Sequence, residues 1–507
     1  WIQKEESTLT VASSALPLAP VRSEPQISTQ VSLMPDPASM QVSDLNLGGF
    51  FISTNEMQKS TGINTRSSQM RILHYIYLSI ISIYSMILRV LAFFGHARAS
   101  AFIEMRSPSH LQELSQRTHK IVPGTHKWSW FHCASLGEYE QAAPVIEAYI
   151  SMHPESRILL TLYSPSGHTP LTTTSPPSWL RKNDFITGLP MDTPSQVRQF
   201  LQAAQYRILF FASAKYEVWP ELIRQLTHAS PPVSTCVFAA HVLPDAPLLR
   251  KTLSGLFLRN TWSNLSTILT QDDSSSLLLA QVSIDSKPLG DPRADRVSRL
   301  ALSKEVPEIL QAWKGSSRVI VAGSSWPPEE KALSDLTWDS STKLILAPHN
   351  IDDGHVTSIL NLFNSPSSNP PRALLYSEWV SSMNGQDPTP PDILIIDSIG
   401  LLSSLYSLAD LAIIGGGFGA GIHNLLEPAA HGVPMISGPN IGRFREAVAL
   451  QRTHSLVICP NETHLSQTIA SSLDPRNKLK LSQTGQLAKD WVASQSGCAE
   501  KIAQFLP

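Results

Sequence analysis

The strongest constraint on the fold is an alternation of strand-like apolar runs with helix-like segments in both halves of the chain. In the first half, strand-like runs lie at 128–133, 157–163 and 206–211, and helix-like segments lie at 138–152 and 219–226. In the second half, strand-like runs lie at 317–322, 343–347, 392–396, 411–414 and 433–436. Such alternation predicts parallel sheets covered by helices. Two sets predict an α/β protein with two Rossmann-like domains facing a cleft, and a hinge near 295–315.

Composition supports a two-domain globular body and excludes several classes of protein. The chain has 507 residues, of which 42% are hydrophobic and 16% charged, so a core can be buried. A net charge of −2 gives no overall attraction to nucleic acid, and we expect no nucleic-acid partner. The four cysteines are widely spaced without a C-x-x-C pair, and no His, Asp or Cys cluster has metal-ligand spacing. We therefore expect neither a disulfide framework nor a metal.

The N-terminal region divides into a polar part and an apolar part. Residues 1–69 are rich in Ser, Thr, Pro and Gln and are predicted to be a disordered extension, although Met70 is a natural start and the origin of the segment stays open. Residues 72–88 contain no Asp, Glu, Lys or Arg. As a helix they span roughly 25 Å, short of a ~30 Å hydrocarbon core. A transmembrane anchor, an interfacial helix, a signal peptide and a buried core helix all fit this segment. The basic segment at 98–127 suits anionic lipid or acceptor phosphates, and a solvated face is the alternative.

A glycine-rich segment carries the clearest functional signal. Residues 415–421 contain five glycines between a strand-like run and a predicted helix over 422–430. Such a loop before a helix presents unpaired N–H groups, which bind phosphate. His423, Asn424 and Glu427 lie on that predicted helix, where Asn424 and Glu427 share one face. Because a carboxylate there can accept hydrogen bonds from ribose hydroxyls, the segment predicts a sugar-nucleotide site.

Two other interpretations of the glycines are weaker. Gly415, Gly417 and Ala420 fit a loose dinucleotide-binding fingerprint, which is typical of oxidoreductases. That fingerprint requires a regular helix and an acidic residue ending the next strand. Pro428 interrupts the helix here, and residues 437–440 contain no acid. A glycine turn with a purely structural role is the second alternative.

Six segments of the chain carry a resemblance to known proteins. They are Phe131–Gln141 (FHCASLGEYEQ), Lys215–Pro220 (KYEVWP), Gly290–Val297 (GDPRADRV), Ala322–Trp326 (AGSSW), Asp397–Leu402 (DSIGLL) and the glycine-rich stretch 415–440 with its HNLLEP sequence. Together they resemble one enzyme family, the 3-deoxy-D-manno-octulosonic acid (Kdo) transferases of glycosyltransferase family 30. They occur in the family's order, between residues 70 and 500, and several ordered motifs are more specific than any one of them.

The resemblance implies a GT-B fold and an inverting glycosyltransferase that needs no metal or other cofactor. Its donor would be CMP-Kdo and its acceptor the lipid A precursor (lipid IVA), in lipopolysaccharide core biosynthesis. Its partners would include lipids of the bacterial inner membrane, at the cytoplasmic face. The implied domains are a disordered extension at 1–69, a membrane-anchor helix at 70–97, an acceptor domain at 98–300 and a nucleotide-sugar domain at 301–507.

The resemblance also implies site residues. Glu138 matches the catalytic base, and a helix N-terminal charge favoured by the dipole is the alternative for it. Lys215 and Glu217 face the cleft and are the other two residues assigned to catalysis. Arg293 pairs with the Kdo carboxylate or a phosphate, and a surface ion pair is the alternative for Lys215 and Arg293. The substrate- and nucleotide-binding residues are Ser135, Gly137, Arg293, Ser324, Pro348, His349, Ser398, Ile399, Gly400, Gly417, Gly419, His423, Asn424 and Glu427.

Two positions depart from the family pattern. Many relatives carry glutamate at the position of Lys215 and arginine at the position of His349. A GT-B enzyme with another nucleotide-sugar donor and a catalytically inactive CMP-binding membrane protein are therefore the alternative functions. The number of Kdo residues added, the acyl preference and the oligomeric state cannot be read from the sequence.

Overall fold

The structure is a computed structural model that describes residues 65–120, 127–303, 305–339, 341–364, 371–382, 389–419, 421–442 and 444–507. Disorder is predicted for residues 1–69, and residues 1–64 of this range lie outside the described residues. Residues 65–69 belong to the first helix, so that prediction is wrong for them. They continue the helix that the apolar run after Met70 forms.

The first domain is built on a sheet of seven parallel strands. The strands are β1 Trp128–Cys133, β2 Arg157–Leu162, β3 Phe185–Gly188, β4 Ile208–Ala214, β5 Ser234–Ala240, β6 Thr267–Thr270 and β7 Lys287–Pro288. Their order in the sheet is β3-β2-β1-β4-β5-β6-β7. The helices are α1 Thr65–Phe93, α2 Ala97–Glu104, α3 Pro108–His119, α4 Leu136–Met152, α5 Pro165–Thr169, α6 Pro194–Ala203, α7 Pro220–Thr227, α8 Leu253–Trp262 and α9 Asp273–Ala280, with a π-helical turn at Pro170–Thr174 and a 3₁₀ turn at Pro247–Leu249.

The second domain repeats this architecture. Its strands are β8 Arg318–Ser325, β9 Thr342–Pro348, β10 Ala373–Leu375, β11 Ile393–Ile395, β12 Leu411–Ile414, β13 Met435–Ser437 and β14 Leu456–Ile458, in the order β10-β11-β9-β8-β12-β13-β14. The helices from the linker onward are α10 Arg293–Ser303, α11 Glu308–Lys314, α12 Pro327–Ser334, α13 Asp353–Phe363, α14 Tyr376–Ser382, α15 Leu402–Leu405, α16 Leu426–Ala430, α17 Arg445–Arg452, α18 Glu462–Ser472, α19 Lys478–Gln495 and α20 Cys498–Gln504, with 3₁₀ turns at Tyr406–Leu408 and Pro475–Asn477. The predicted pair of Rossmann-like α/β domains is confirmed.

Burial explains why these short segments are strands. All six residues of β1 are buried, and β9 and β12 are buried almost throughout. Strands covered on both faces by helices read as continuous apolar runs rather than alternating ones. The apolar side chains of each sheet pack in two clusters, one on each face, so each domain has three layers.

The C-terminal helix α20 belongs to the first domain. Ala499, Ile502 and Leu506 pack in the same cluster as Val145 and Ile146 of α4. In addition, the Tyr149 hydroxyl donates to the Pro507 carbonyl oxygen at 2.7 Å. The assignment of residues 301–507 to one C-terminal domain is therefore wrong for the segment from 498. The physical reason is that the first domain's outer helix layer is completed by apolar residues distant in sequence.

Helix α1 lies along the first domain with one face buried and the other exposed. Leu73, Tyr77, Ile81 and Leu88 form the buried stripe, at spacings that place them on one side of a helix. The Tyr77 hydroxyl donates to Asp192 Oδ2 at 2.7 Å. The opposite side exposes a row of large apolar side chains: Ile72, Tyr75, Ile83, Met86, Ile87, Val90 and Phe93. Its stretch Ser68–Phe93 is long and apolar enough to cross a membrane by length and composition.

Candidate active site

The candidate site lies at the carboxyl ends of the strands in both sheets. In parallel sheets, ligands bind where the strand order reverses. In the first sheet that point lies between β1 and β4, and in the second between β8 and β12. Glu138 follows β1 and Lys215 follows β4, while Ser324 is the penultimate residue of β8 and the glycine loop follows β12. Most sequence-predicted residues therefore lie beside one of the two switch points.

Glu138 is a buried carboxylate at the start of α4. Its side chain is 1% exposed, and the Ser135 N–H donates to Glu138 Oε2 at 2.9 Å. Ser135 is the N-cap residue and Glu138 the third helical residue, so the pair forms a capping box. Gly137 lies between them in the first turn. Burial raises the pKa of Glu138, and the Lys215 ammonium partly opposes this. A carboxylate with a raised pKa, held at a switch point, can accept a proton from a hydroxyl.

Lys215 and Glu217 lie on the loop after β4. Lys215 has φ of 62°, a left-handed conformation that is costly for a residue with a Cβ and common at functional sites. It lies close enough to lower the pKa of Glu138 and of Asp291. Glu217 is 2% exposed. Burial raises the pKa of Tyr163, and the negative charge of Glu217 raises it further. The structure thus brings Lys215 to Glu138 and places Glu217 toward Tyr163.

Arg293 forms ion pairs at the junction of the two domains. Its Nη2 lies 2.7 Å from Asp291 Oδ2 and 3.2 Å from Glu446 Oε1. Although burial alone would lower the pKa of Arg293, these two carboxylates raise it. Arg293 therefore forms ion pairs, as its alternative interpretation supposed. These pairs link the two domains rather than lying on an open surface.

The glycine loop is packed against two neighbouring loops. A Cβ at Gly415 would lie 1.9 Å from the carbonyl oxygen of Ser324, whose φ is 51°. A Cβ at Gly417 would lie 2.5 Å from the Gly438 nitrogen. Around Gly419 the nearest atom to such a Cβ is 3.9 Å away. Glycine is required at 415 and 417 because backbones approach there closely.

Several loop amides that were predicted to be unpaired are already bonded within the protein. The N–H of Gly416 donates to the buried Glu329 Oε1 at 3.0 Å. The N–H groups of Gly415, Gly419 and Gly421 donate to backbone carbonyl oxygens. The prediction that the whole loop offers free N–H groups is therefore wrong at these four positions. The cause is that the loop folds back on itself and recruits a carboxylate from α12.

His423 and Asn424 precede a helix rather than lying on it, so the predicted helix over 422–430 is wrong in its first four residues. Helix α16 spans only Leu426–Ala430. The His423 N–H donates to the Gly415 carbonyl oxygen at 3.2 Å, which ties the segment into the loop. Asn424 Oδ1 accepts a hydrogen bond from the Leu426 N–H at 3.0 Å. Glu427 is half-buried in the first turn of α16 and adds to the burial that raises the pKa of Tyr406.

Three aromatic rings meet at the edge of the second sheet. Trp326 follows β8, His349 follows Pro348 at the end of β9, and His423 follows the glycine loop. The ring centroids of His349 and His423 are 4.3 Å apart, and those of His349 and Trp326 are 4.8 Å apart. Sequence reasoning quoted Trp326 only within a motif, although an aromatic residue directly after a buried strand marks the same edge.

The loop after β11 carries Ser398, Ile399 and Gly400. Ile399 is 90% exposed, and Gly400 has φ of 99°. A large apolar side chain standing open at the carboxyl edge of a sheet can pack against a ligand ring. The described residues contain no group of three or more His, Cys, Asp or Glu side chains placed to hold a metal ion.

Two parallel-sheet domains with polar residues at both switch points form a GT-B-like fold. The sequence model of the family described as "3-Deoxy-D-manno-octulosonic-acid transferase (kdotransferase)" matches residues 109–296. Together with the relatives described below, this match supports the Kdo transferase family as the one that the chain resembles.

The relatives match most of the chain. One is the 3-deoxy-D-manno-octulosonic acid transferase of Chlamydophila psittaci, 27% identical over 72% of this chain and 82% of the relative. Another is the enzyme of that name from Aquifex aeolicus, 27% identical over 74% of this chain and 93% of the relative. Among solved structures, the C-terminal CMP-Kdo binding domain of WaaA from Acinetobacter baumannii is 20% identical, with a TM-score of 0.30, over 38% of this chain and 97% of that domain.

Proposed function

We propose that the protein transfers Kdo from CMP-Kdo to the lipid A precursor, with inversion and without a metal or other cofactor. The observation that carries this proposal is the buried Glu138 carboxylate beside Lys215 at the first switch point. Relatives that carry the Kdo transferase name, and of which the chain spans 82% and 93%, support the choice of sugar.

The reaction requires one proton acceptor and one stabilised leaving group. Glu138 takes the proton of an acceptor hydroxyl while that oxygen attacks the anomeric carbon of Kdo. The bond from this carbon to the phosphate oxygen breaks, and its electron pair leaves with CMP. Lys215 favours the ionised form of Glu138 before the transfer, because opposite charges within a few ångströms lower a carboxyl pKa.

The second domain provides the donor site in this proposal. Glu427 holds the ribose, and Asn424 and His423 contact the phosphate or the sugar. Pro348, His349 and the loop of Ser398, Ile399 and Gly400 surround the nucleotide. Gly417 and Gly419 leave room for it, since a glycine offers no side chain to block a close approach.

We further propose that α1 attaches the protein to the cytoplasmic face of the inner membrane as an interfacial helix. Its buried face carries polar contacts to the body of the first domain: Tyr77 to Asp192, and His74 Nε2 to Glu221 Oε2 at 2.8 Å. Spanning the bilayer would either break these contacts or draw buried carboxylates into hydrocarbon, and both are costly. Lying in the interface immerses only the exposed apolar row.

The test is mass spectrometry of the lipid formed from CMP-Kdo and tetraacylated lipid A precursor by the purified protein. We expect product that carries added Kdo, and loss of product with Glu138→Ala. The matched control is Glu140→Gln, two residues further along α4, where the side chain is 40% exposed and pairs with Arg296 at 2.9 Å. Absence of Kdo-bearing lipid with the unmodified protein would contradict the proposed reaction. Equal activity of Glu138→Ala would contradict the role of the base.

A further inference from the structure

An apolar cavity opens in the first domain beside the loop that carries Lys215 and Glu217. It has a volume of about 320 Å³ and lies between this loop, the segment that follows β5 and helix α8. Cavities that bind ligands range over about 300–1,000 Å³. This one is therefore large enough for a single chain or ring and too small for a whole glycolipid.

The floor of the cavity is apolar, and its charges lie at the rim. Three of the lining residues are almost fully buried in the core cluster of the domain: Val218, Val242 and Trp262. Among the lining residues with ionisable groups, Asp245 and Arg250 are exposed and His241 is half-buried. Because burying an unpaired polar group is costly, such a cavity favours a hydrocarbon chain whose polar end stays at the rim.

Hydrogen bonds hold the walls of the cavity in place. Arg259 of α8 donates from Nη1 to the carbonyl oxygens of Leu248 and Arg250, at 2.7 Å and 2.8 Å. The Val242 N–H donates to the buried hydroxyl of Ser275 at 3.0 Å. The walls are therefore preformed, and a ligand that enters does not have to bear the cost of ordering them.

The position of the cavity connects it to the proposed base and to helix α1. Tyr216 lines the cavity and directly follows Lys215, whose charge acts on Glu138. On another side, α8 packs against α1 through Phe257 and lines the cavity with Leu258. A lipid held at a membrane by α1 is thus close to the cavity, and the cavity is close to the base.

We propose that this cavity binds one fatty acyl chain of the acceptor lipid and thereby places the acceptor hydroxyl near Glu138. The inference rests on the proposed function and adds to it the part of the acceptor that the protein recognises by length. Each buried CH₂ group contributes up to roughly fourfold in affinity. Acceptors whose chain fills the cavity should therefore react with a higher kcat/KM than acceptors with shorter chains.

The test compares kcat/KM for two synthetic lipid A precursors that differ only in their acyl chains, which are tetradecanoyl in one and octanoyl in the other. Chain length also changes partition into detergent micelles, so the informative quantity is the tetradecanoyl-to-octanoyl ratio compared between variants. Ala246→Phe places a phenyl ring in the cavity, since Ala246 is a half-buried lining residue. We expect this substitution to lower the ratio about tenfold relative to the wild type.

The matched control is the same substitution outside the cavity. Ala280 is exposed at the end of α9 and does not line the cavity, so Ala280→Phe should keep the wild-type ratio. Thermal unfolding curves report whether each variant is folded. Leu258→Trp also adds bulk inside the cavity, and it should lower the ratio in the same direction if Ala246→Phe does not fold.

Two outcomes would overturn the inference while the proposed function stands. One is an unchanged or raised ratio in the folded filling variant. The other is an equal loss of kcat/KM with both acceptors, because that result comes from disturbing the neighbouring Lys215 loop rather than from blocking a chain. If the wild-type protein transfers Kdo to neither acceptor, the proposed function fails, and the inference fails with it.

Discussion

Arg445 donates from Nη1 to the carbonyl oxygen of Gln271 at 2.8 Å, and this bond joins the second domain to the first. Arg445 Nε also lies 3.4 Å from Asp272 Oδ2. Although burial alone would raise the pKa of Asp272, hydrogen bonds and the charge of Arg445 lower it. Two neighbouring ion pairs, Arg445 with Asp272 and Arg293 with Glu446, therefore connect the domains beside the strand ends. We infer that they maintain the relative position of the two halves of the site.

Arg445→Ala should weaken catalysis more than it weakens folding. Loss of this charge-assisted contact is expected to cost about 1 kcal/mol, or about fivefold in kcat/KM, because the two halves of the site are less well aligned. Steady-state kinetics with a thermal unfolding curve measure both effects. Arg452→Ala is the control, since Arg452 is exposed at the other end of the same helix. Equal kcat/KM for the two variants would rule out an aligning role.

Glu138→Gln should stabilise the fold while abolishing transfer. Burial raises the pKa of Glu138, so the folded state favours the protonated form. The stability that this group contributes is full below its unfolded-state pKa and is lost as the pH rises through its folded-state pKa. We therefore expect Tm of Glu138→Gln to exceed that of the wild type at about pH 8 and to approach it at about pH 5. A Tm difference independent of pH would contradict this account.

Tyr77→Phe should destabilise the protein by loosening α1. It removes the hydroxyl that bonds Asp192, which also accepts from the N–H groups of Glu221 and Leu222. The expected loss is about 1–3 kcal/mol in the free energy of unfolding, measured by denaturant titration.

The loss should grow with pH around the titration of Asp192. Burial raises the pKa of Asp192 to about 6, and a hydroxyl bonds more strongly to the ionised carboxylate that forms above that value. Tyr75→Phe is the control on the same helix, because Tyr75 is 66% exposed. A similar loss of stability in both variants would show that the hydrogen bond from Tyr77 to Asp192 does not cause it.

Replacing Phe93 and Phe94 together by serine should release the protein from membranes. The two side chains are 85% and 79% exposed at the end of α1. Since burying one large apolar side chain contributes about 1.5–3 kcal/mol, binding to anionic vesicles should fall by about tenfold or more in a sedimentation assay. Leu277→Ser is the control, because Leu277 is 66% exposed on a different helix, α9. Vesicle binding that survives the double substitution would exclude the interfacial role of this end of the helix.

Sequence patterns predicted the strands well because most are buried on both faces. The run Trp128–Cys133 is β1 to the residue, and the apolar part of the run before the glycines is β12. Continuous apolar runs of this length have few other places in a soluble domain. The two-domain α/β fold follows from their alternation.

Features that depend on contacts between distant residues could not be predicted in this way. The capture of the Gly416 N–H by Glu329 joins residues 87 positions apart, and no local pattern signals it. The shortening of α16 depends on the His423 N–H bonding back to Gly415. The three-ring cluster depends on the register of β8, β9 and β12. Single residues such as Glu138 were recognisable because their motif and helix-capping role are local.

The return of α20 to the first domain also bears on how the chain folds during synthesis. The sheet of that domain leaves the ribosome early, yet Ala499, Ile502 and Leu506, which cover one of its faces, emerge only after the second domain. Domains usually fold as units in order of synthesis, and exposed apolar surface in the waiting intermediate favours aggregation. The first domain must therefore remain incomplete until the second has been made. A fragment that ends between the two domains would lack part of its own core.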